Sequence, residues 1–382
     1  MKLWSVQIHR FRAIEDLTIR FDDAFGRVRP VTVLAGPNGC GKTSVLFAIV
    51  QTLRGVMGYR TSDVPEPSNL DIHRSGALGG LSKFPASISV RLELEYDDVE
   101  KSAMPKLFVD TFELHKETLQ TLPQSRVTAQ WNYPPERNPD GSRRPSWWLN
   151  IHPREALQWF HGRRYAIQGW RKRMTTRSVL DQVGGIYLFP QDRNLQSRVV
   201  GSANGILDGS EMESDSEANG QYVRTSEPPS VWGILEYLSS YSLNRRIPLE
   251  AEENWENRVK EQFARICGPK EYLGFLYQPD DPVGAPHFKD GESWYPLNMA
   301  ASGEQVIIEY ITRLTYPSPW NRSVILIDEP EVHLHPAWIR QLYAALPKIG
   351  SDNQYILTTH SPELRALAAE DNCLIDLGEM TA

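Results

Sequence analysis

Apolar and polar residues alternate along Leu3-Trp4-Ser5-Val6-Gln7-Ile8 and again along Leu17-Thr18-Ile19-Arg20-Phe21, with a turn near Ala13 between them. A period of two predicts a hairpin over residues 3–21. Ser87 to Tyr96 alternates just as strictly and predicts a half-buried strand. Arg126–Tyr133 and Trp147–Ile151 add two more strands, separated by a Pro-Pro-Glu-Arg-Asn-Pro-Asp-Gly turn or long loop. Other runs are apolar throughout, as in strands covered on both faces: Val31-Thr32-Val33-Leu34, Gly185–Pro190, Val324–Ile327 and Tyr355–Leu357. Helical spacing marks Thr43–Val50, a stretch with Val231, Ile234, Leu235 and Leu238, and another with Trp255, Val259, Phe263 and Ile266. Residues 303–314 continue that list, with Val306, Ile307, Tyr310, Ile311 and Leu314 on one face and Ser302 placed as N-cap. Asp290-Gly291, between Phe288 and Trp294, is a hairpin turn signal. The C-terminal part then alternates strand and helix at 323–327, 337–346, 354–358, 362–369 and 373–377, which implies a parallel sheet with helical crossovers. Residues 60–86 read as loop, 153–182 as basic helix and 200–228 as a disordered surface loop. There is no internal repeat and no sustained heptad array.

Composition narrows the class. The chain has 382 residues, 40% of them hydrophobic and 23% charged, as in ordinary globular proteins. No stretch approaches the ~18 consecutive apolar residues of a membrane span, and the N-terminus has no signal-peptide core. Three cysteines make no disulfide framework, so a reducing cytoplasm is the expected setting. A net charge of -7 argues against a protein coated for nucleic acid, yet its distribution is uneven. Residues 143–177 hold nine Lys/Arg against one acid, interleaved with Trp147, Trp148, Trp159, Phe160, Tyr165 and Trp170. Residues 208–217 hold five acids and no base.

The chemistry lies in three places. Gly36-Pro37-Asn38-Gly39-Cys40-Gly41-Lys42-Thr43, continued by Ser44, matches G-x-x-x-x-G-K-[ST] between an expected strand and an expected helix. In that context backbone N–H groups and the helix N-terminus cradle phosphate, Lys42 reaches the β- and γ-phosphates of ATP, and Thr43 holds Mg²⁺. Cys40 is either an oxidisable thiol or a small residue that fits the loop. The Val324–Ile327 strand ends in Asp328-Glu329-Pro330: Asp328 suits Mg²⁺ and Glu329 suits the attacking water. Paired acids beside bound phosphates are sensible only with the metal. The Tyr355–Thr359 run ends in His360, about thirty residues after the acids and across one helix, which puts it on the neighbouring strand tip.

Together these motifs resemble the ABC-type ATPases of the branch that includes RecF, SMC-like proteins and the OLD family of phage-defence ATPases. The resemblance covers 1–60, about 185–200 and 290–382 by motif. It implies an α/β P-loop NTPase head of ABC type, with mixed parallel and antiparallel sheets and a helical lobe. The head would comprise an N-terminal lobe at 1–152, a helical lobe with insertions at 153–290 and a C-terminal lobe at 291–382. Ile8-His9-Arg10-Phe11-Arg12 is similar to the branch's opening strand, which makes Arg12 a nucleotide-proximal residue. Leu188-Phe189-Pro190-Gln191 resembles the Q-loop, whose Gln191 would sense Mg²⁺ and the γ-phosphate. Ala300-Ala301-Ser302-Gly303 resembles the signature loop that acts on the partner's ATP, and Glu331–Pro336 resembles the D-loop. His360 matches the switch histidine. The signature departs from the family pattern, since Ala300 and Ala301 stand where Leu-Ser is usual. That puts the hydroxyl contact, and with it the hydrolysis rate, in doubt; Ser302 is either a partial substitute or only an N-cap.

The resemblance implies a homodimer, or a higher oligomer, that sandwiches ATP. The chain ends some twenty residues after His360, so a nuclease domain of the OLD type is not expected. Three functions follow. One is a slow, ATP-gated regulatory subunit of an anti-phage system that controls a separately encoded effector, as in Septu-like, PARIS-like and retron-associated systems. Another is a RecF-like repair ATPase holding DNA through 143–177, where guanidinium and aromatic groups suit phosphate contact and base stacking. The last is a nucleotide-binding scaffold with little turnover. A membrane partner is not expected.

Overall fold

A computed structural model describes residues 1–56, 88–103, 126–133, 149–152, 182–191, 231–243, 255–278, 281–315 and 321–380. The basic stretch 143–177, apart from 149–152, and the acidic segment 208–217 lie outside the described residues, as do the expected loops at 60–86 and 200–228 and the expected helix at 153–182, save its last residue.

The alternating segments form one antiparallel sheet. β1 (Lys2–Phe11) and β2 (Ile14–Arg20) are the expected hairpin, and β4 (Ile88–Glu95), β5 (Val127–Tyr133) and β6 (Leu149–His152) extend it in the order β2-β1-β4-β5-β6. The continuous apolar runs form a parallel sheet: β3 (Val31–Ala35), β7 (Ile186–Phe189), β11 (Val324–Ile327), β12 (Gln354–Thr359) and β13 (Leu374–Asp376), ordered β13-β3-β12-β11-β7. Every residue of β3, β7, β11 and β12 is buried, which explains why these runs carry no polar alternation. Register places Leu188, Leu326 and Ile356 in one row, and Phe189, Ile327, Leu357 and Val33 in the next.

The rows feed two cores on opposite faces. On one side Leu34, Leu188, Leu326 and Ile356 pack with helix α1 (Lys42–Val56) and the inner face of the antiparallel sheet. On the other, Val33, Phe189, Ile327 and Leu357 pack with α2 (Val231–Leu243), α3 (Trp255–Cys267), α4 (Ser302–Thr315) and α5 (Pro336–Ala345). Helix α6 (Pro362–Glu370) and the short α7 (Leu377–Met380) close the chain's described part. α5 and α6 start by local rules. His335 Nδ1 accepts from Ala337 N and Ser361 Oγ from Leu364 N, and each cap is followed by proline at the first helical position.

One region unread in the sequence is β8 (Glu271–Gln278) and β9 (Asp281–Asp290), long strands that pair with β10 (Ser293–Pro296) in a third sheet; only the Asp290-Gly291 turn between the last two was legible beforehand, and one expectation changes. Ser302 is not the N-cap of its helix but its first residue. No described helix is long and apolar enough to cross a membrane.

Candidate nucleotide site

Parallel strands deliver their C-terminal ends to one edge, so Gly36 after β3, Gln191 after β7, Asp328 after β11 and His360 after β12 converge there from distant parts of the sequence. The loop after β3 is built tightly. Gly41 has φ +100°, and a Cβ there would lie 2.8 Å from Ile14 Cγ1, so the tip of the first hairpin rests on the phosphate loop. Gly36 has φ +154°, and a Cβ would meet Cys40 Sγ at 2.7 Å. Cys40 thus packs as a small loop residue, and all three cysteines are free thiols. Pro37, Asn38 and Gly39 are exposed, whereas Lys42 and Ser44 are buried. Lys42 Nζ donates to the carbonyls of Gly36 at 2.9 Å and Pro37 at 3.0 Å and lies 3.4 Å from His360 Nδ1. Its ammonium is therefore held inside the loop by acceptors that a phosphate oxygen, being charged, outcompetes.

Thr43 Oγ1 lies 3.0 and 3.1 Å from the two carboxylate oxygens of buried Asp328. The Thr358 hydroxyl donates to the same carboxylate. These are hard oxygen donors, the set that suits Mg²⁺. That ion is commonly held by one or two carboxylates plus substrate phosphates rather than by a protein cage; among the described residues no group of three or more His, Cys, Asp or Glu is arranged to hold a metal ion by itself.

Glu329 follows with φ +47°, a left-handed backbone conformation. Its carboxylate is gripped from both flanks, by Gln191 Nε2 at 2.7 Å and His360 Nε2 at 2.8 Å. Its pKa is raised above the ordinary carboxylate value, chiefly by burial and further by the charges of Asp328 and Glu331, against the opposing pull of His360. A carboxylate of raised proton affinity is a better base at neutral pH.

Glu331 was not singled out from the sequence, yet it organises this corner. One of its oxygens accepts from Thr359 Oγ1 at 2.6 Å, His360 N at 2.8 Å and Ser361 N at 3.0 Å. The loop after the acids is thereby tied to the backbone that carries His360. The available signal was the third acid of Asp328-Glu329-Pro330-Glu331. Thr358 was likewise passed over inside an apolar run.

The 300–303 loop is held from behind. Ala301 occupies the cap position and has no side-chain acceptor. Glu304, three residues on, reaches back to Ala301 N at 2.8 Å, which is one half of a capping box. The other oxygen of this buried carboxylate binds Tyr295 OH at 2.9 Å and Lys270 Nζ. Ser302 is exposed. Gly303 is buried, and a Cβ there would stand 2.8 Å from the His333 carbonyl oxygen, so the loop after the acids and the start of α4 touch within one chain. Arg12 sits at the hairpin tip with φ +52°, its guanidinium 4.2 Å from the centre of the Phe47 ring on α1. The structure thus gathers Lys42, Thr43, Asp328, Glu329, Gln191 and His360 into one contact network. Among the described residues, Ser302 and Gly303 make no hydrogen bond or ion pair to those six.

Comparison with known proteins sets this geometry in a family. Residues 31–366 match the family described as "AAA domain, putative AbiEii toxin, Type IV TA system". Among curated proteins the chain is 35% identical over 74 residues to "Retron Ec83 probable ATPase" of Escherichia coli, covering 17% of this chain and 14% of that one. It is 36% identical over 87 residues to "Protein ea59" of Escherichia phage lambda, covering 22% and 16% respectively. The matches thus span about a seventh of the length of these relatives. Among solved structures, an SMC head bound to the C-winged helix domain of ScpA aligns with TM-score 0.46 and 17% identity over 96% of this chain and 91% of that one. The SMC head domain from Thermotoga maritima aligns with TM-score 0.40 and 13% identity over 96% and 92%. Phosphate loop, strand-end acids and parallel sheet agree with the family match, and the chain belongs to this AAA-domain family, with an α/β P-loop fold.

Proposed function

We propose that this protein binds and slowly hydrolyses ATP as a dimer, and serves as the regulatory ATPase of an anti-phage defence complex that holds or releases a separately encoded effector. One observation carries the reading: Glu329 is already engaged with Gln191 and His360 above the Lys42 and Thr43–Asp328 contacts, while Ser302 of the same chain faces solvent. Half of a site is assembled, and the other half is presented outward for a second copy. The family description as a toxin–antitoxin system and the likeness to a retron ATPase support the defence setting.

In this reading Lys42 and the amides of residues 36–44 bind the ATP phosphates, and Arg12 lies beside the nucleotide. Thr43, Asp328 and Gln191 would hold Mg²⁺, which would supply charge neutralisation to the phosphates. Glu329 takes the proton from the attacking water as the γ-phosphorus–oxygen bond breaks, leaving ADP and phosphate. His360, its Nδ1 3.4 Å from Lys42 Nζ, steadies the γ-phosphate beside that lysine. Ser302, Gly303 and the N-terminus of α4 cap the ATP of the other copy through N–H groups and the helix dipole. The γ-phosphate then bridges the copies, and its loss lets them part. The chain is one head, with lobes at 1–152, 153–290 and 291–382, working in the cytoplasm.

A DNA-bound repair role is supported by the basic, aromatic stretch 143–177. Steady-state hydrolysis with and without double-stranded DNA, blanked with Glu329→Gln, separates the two. Turnover indifferent to DNA agrees with effector control. Strong stimulation that fades with added salt would transfer the assignment to DNA.

A further inference from the structure

At the end of the parallel sheet opposite the nucleotide edge lies a groove of about 1050 Å³. Its walls come from Val31 at the start of β3, from Arg340 and Tyr343 on α5, and from Leu367 of α6 with Asp371 and Cys373 just beyond. Each of these elements has its other end in the nucleotide site. β3 runs into the phosphate loop, α5 begins after the His335 end of the loop that follows the acids, and α6 begins two residues after His360. A five-residue strand spans roughly 16 Å and a nine-residue helix roughly 13 Å, so three short rigid elements join groove to site. Tyr343 OH lies 2.9 Å from Asp371 Oδ2 and 3.1 Å from Cys373 Sγ, which ties the walls to each other.

The groove's charge runs against that of the chain. Arg27, Arg29, Arg340 and Lys348 line it, against Asp23 and Asp371. Both acids are committed internally: Asp23 accepts from the N–H groups of Phe25 and Arg27 at 2.9 Å, and Asp371 from Tyr343. Arg340 pairs with Glu363, whereas Arg27, Arg29 and Lys348 form no ion pair with any described residue. Beside them Phe25 is 88% exposed. Unpaired cations around an apolar floor, in a chain of net charge -7, call for a ligand with carboxylates and one apolar side chain.

We propose that this groove docks an acidic peptide segment of a separately encoded protein, with an apolar residue seated beside Phe25 and Leu367. The proposal rests on the effector-control reading and supplies its point of attachment. The probe is a fluorescein-labelled synthetic peptide of glutamates around one central phenylalanine, titrated with the full chain by fluorescence anisotropy. Binding is expected to weaken roughly tenfold in the exposed double variant Arg27→Glu/Lys348→Glu, and also in Phe25→Ser. It should fail for the same peptide with lysines in place of glutamates. Melting temperature and ATP binding of both variants should match the parent, which guards against misfolding. Equal binding by parent and charge-reversed chains would overturn the proposal. So would tighter binding of a peptide copying residues 206–219, which would give the groove to the chain's own acidic segment. A charge-reversal-dependent change in sedimentation coefficient would give it to a second copy and overturn it as well. The two readings fail separately: probe binding by a chain that does not hydrolyse ATP sinks the gating mechanism alone, and normal hydrolysis without probe binding sinks the docking alone.

Discussion

The two halves of the nucleotide site are built in contrasting ways. At the Asp328–Glu329 end, side chains from four strand tips already touch: Thr43 with buried Asp328, the exposed Gln191 and His360 with Glu329, Glu331 with the backbone of His360. At the 300–303 end, the loop is fixed from behind, by Glu304 on Ala301 N and Gln305 on the Ala300 carbonyl, while Ala301 and Ser302 are exposed. The first half is preorganised for chemistry within a chain. The second is preorganised only in shape, and under the proposed dimer what it acts on would come from the second copy. Preorganised dipoles are worth most where water is excluded, so closure against a second copy would activate both halves at once.

The largest expected effect attacks the assembled half. Glu329→Gln should lower kcat by about 100-fold or more, the scale of a lost general base, while ATP still binds and the dimer persists in gel filtration. Rapid turnover by this variant would remove Glu329 from its role. Glu331→Ala comes next. It frees Thr359, His360 N and Ser361 N together, so kcat should fall about tenfold or more with little change in KM; Glu331→Gln, which keeps an acceptor, should recover most of the loss. An equal loss in both variants would point to charge rather than to the tether.

The presented half should respond in stability before it responds in rate. Glu304→Ala strips partners from Ala301 N, Tyr295 OH and Lys270 at a buried position, and should cost about 2–4 kcal/mol in denaturant unfolding. Gly303→Ala drives a Cβ against the His333 carbonyl and should cost about 1–3 kcal/mol, while weakening ATP-dependent dimerisation more than ATP binding. Ser302→Ala should be the mildest, within about 0.5 kcal/mol of the parent, because the residue is exposed and is not the cap. A large fall in kcat with unchanged stability would instead show that the Ser302 hydroxyl reaches the partner's ATP.

What could be read beforehand was local in origin. The phosphate loop, the paired acids at a strand end, the hairpin at 3–21 and the two-sided strands each follow from the order of neighbouring residues, because pleat, helix pitch and glycine freedom act over a few positions. The sequence alone therefore determined the fold class, the parallel sheet and the identity of Lys42, Thr43, Asp328, Glu329 and His360 as candidates. Strands β8 and β9 escaped, since neither Glu271–Gln278 nor Asp281–Asp290 alternates cleanly, and they are stabilised by their pairing and by the burial of Tyr272 and Phe288 in the core. Ser302 was misplaced because a hydroxyl before an apolar helix looks like a cap; the tertiary structure gave that task to Glu304, whose carboxylate is also needed by Tyr295 and Lys270. Glu331's hold on His360 and the groove where β3, α5 and α6 meet join residues about thirty positions or more apart. Such contacts depend on which element lies beside which, and that is settled by how two buried faces pack, not by any short stretch of chain.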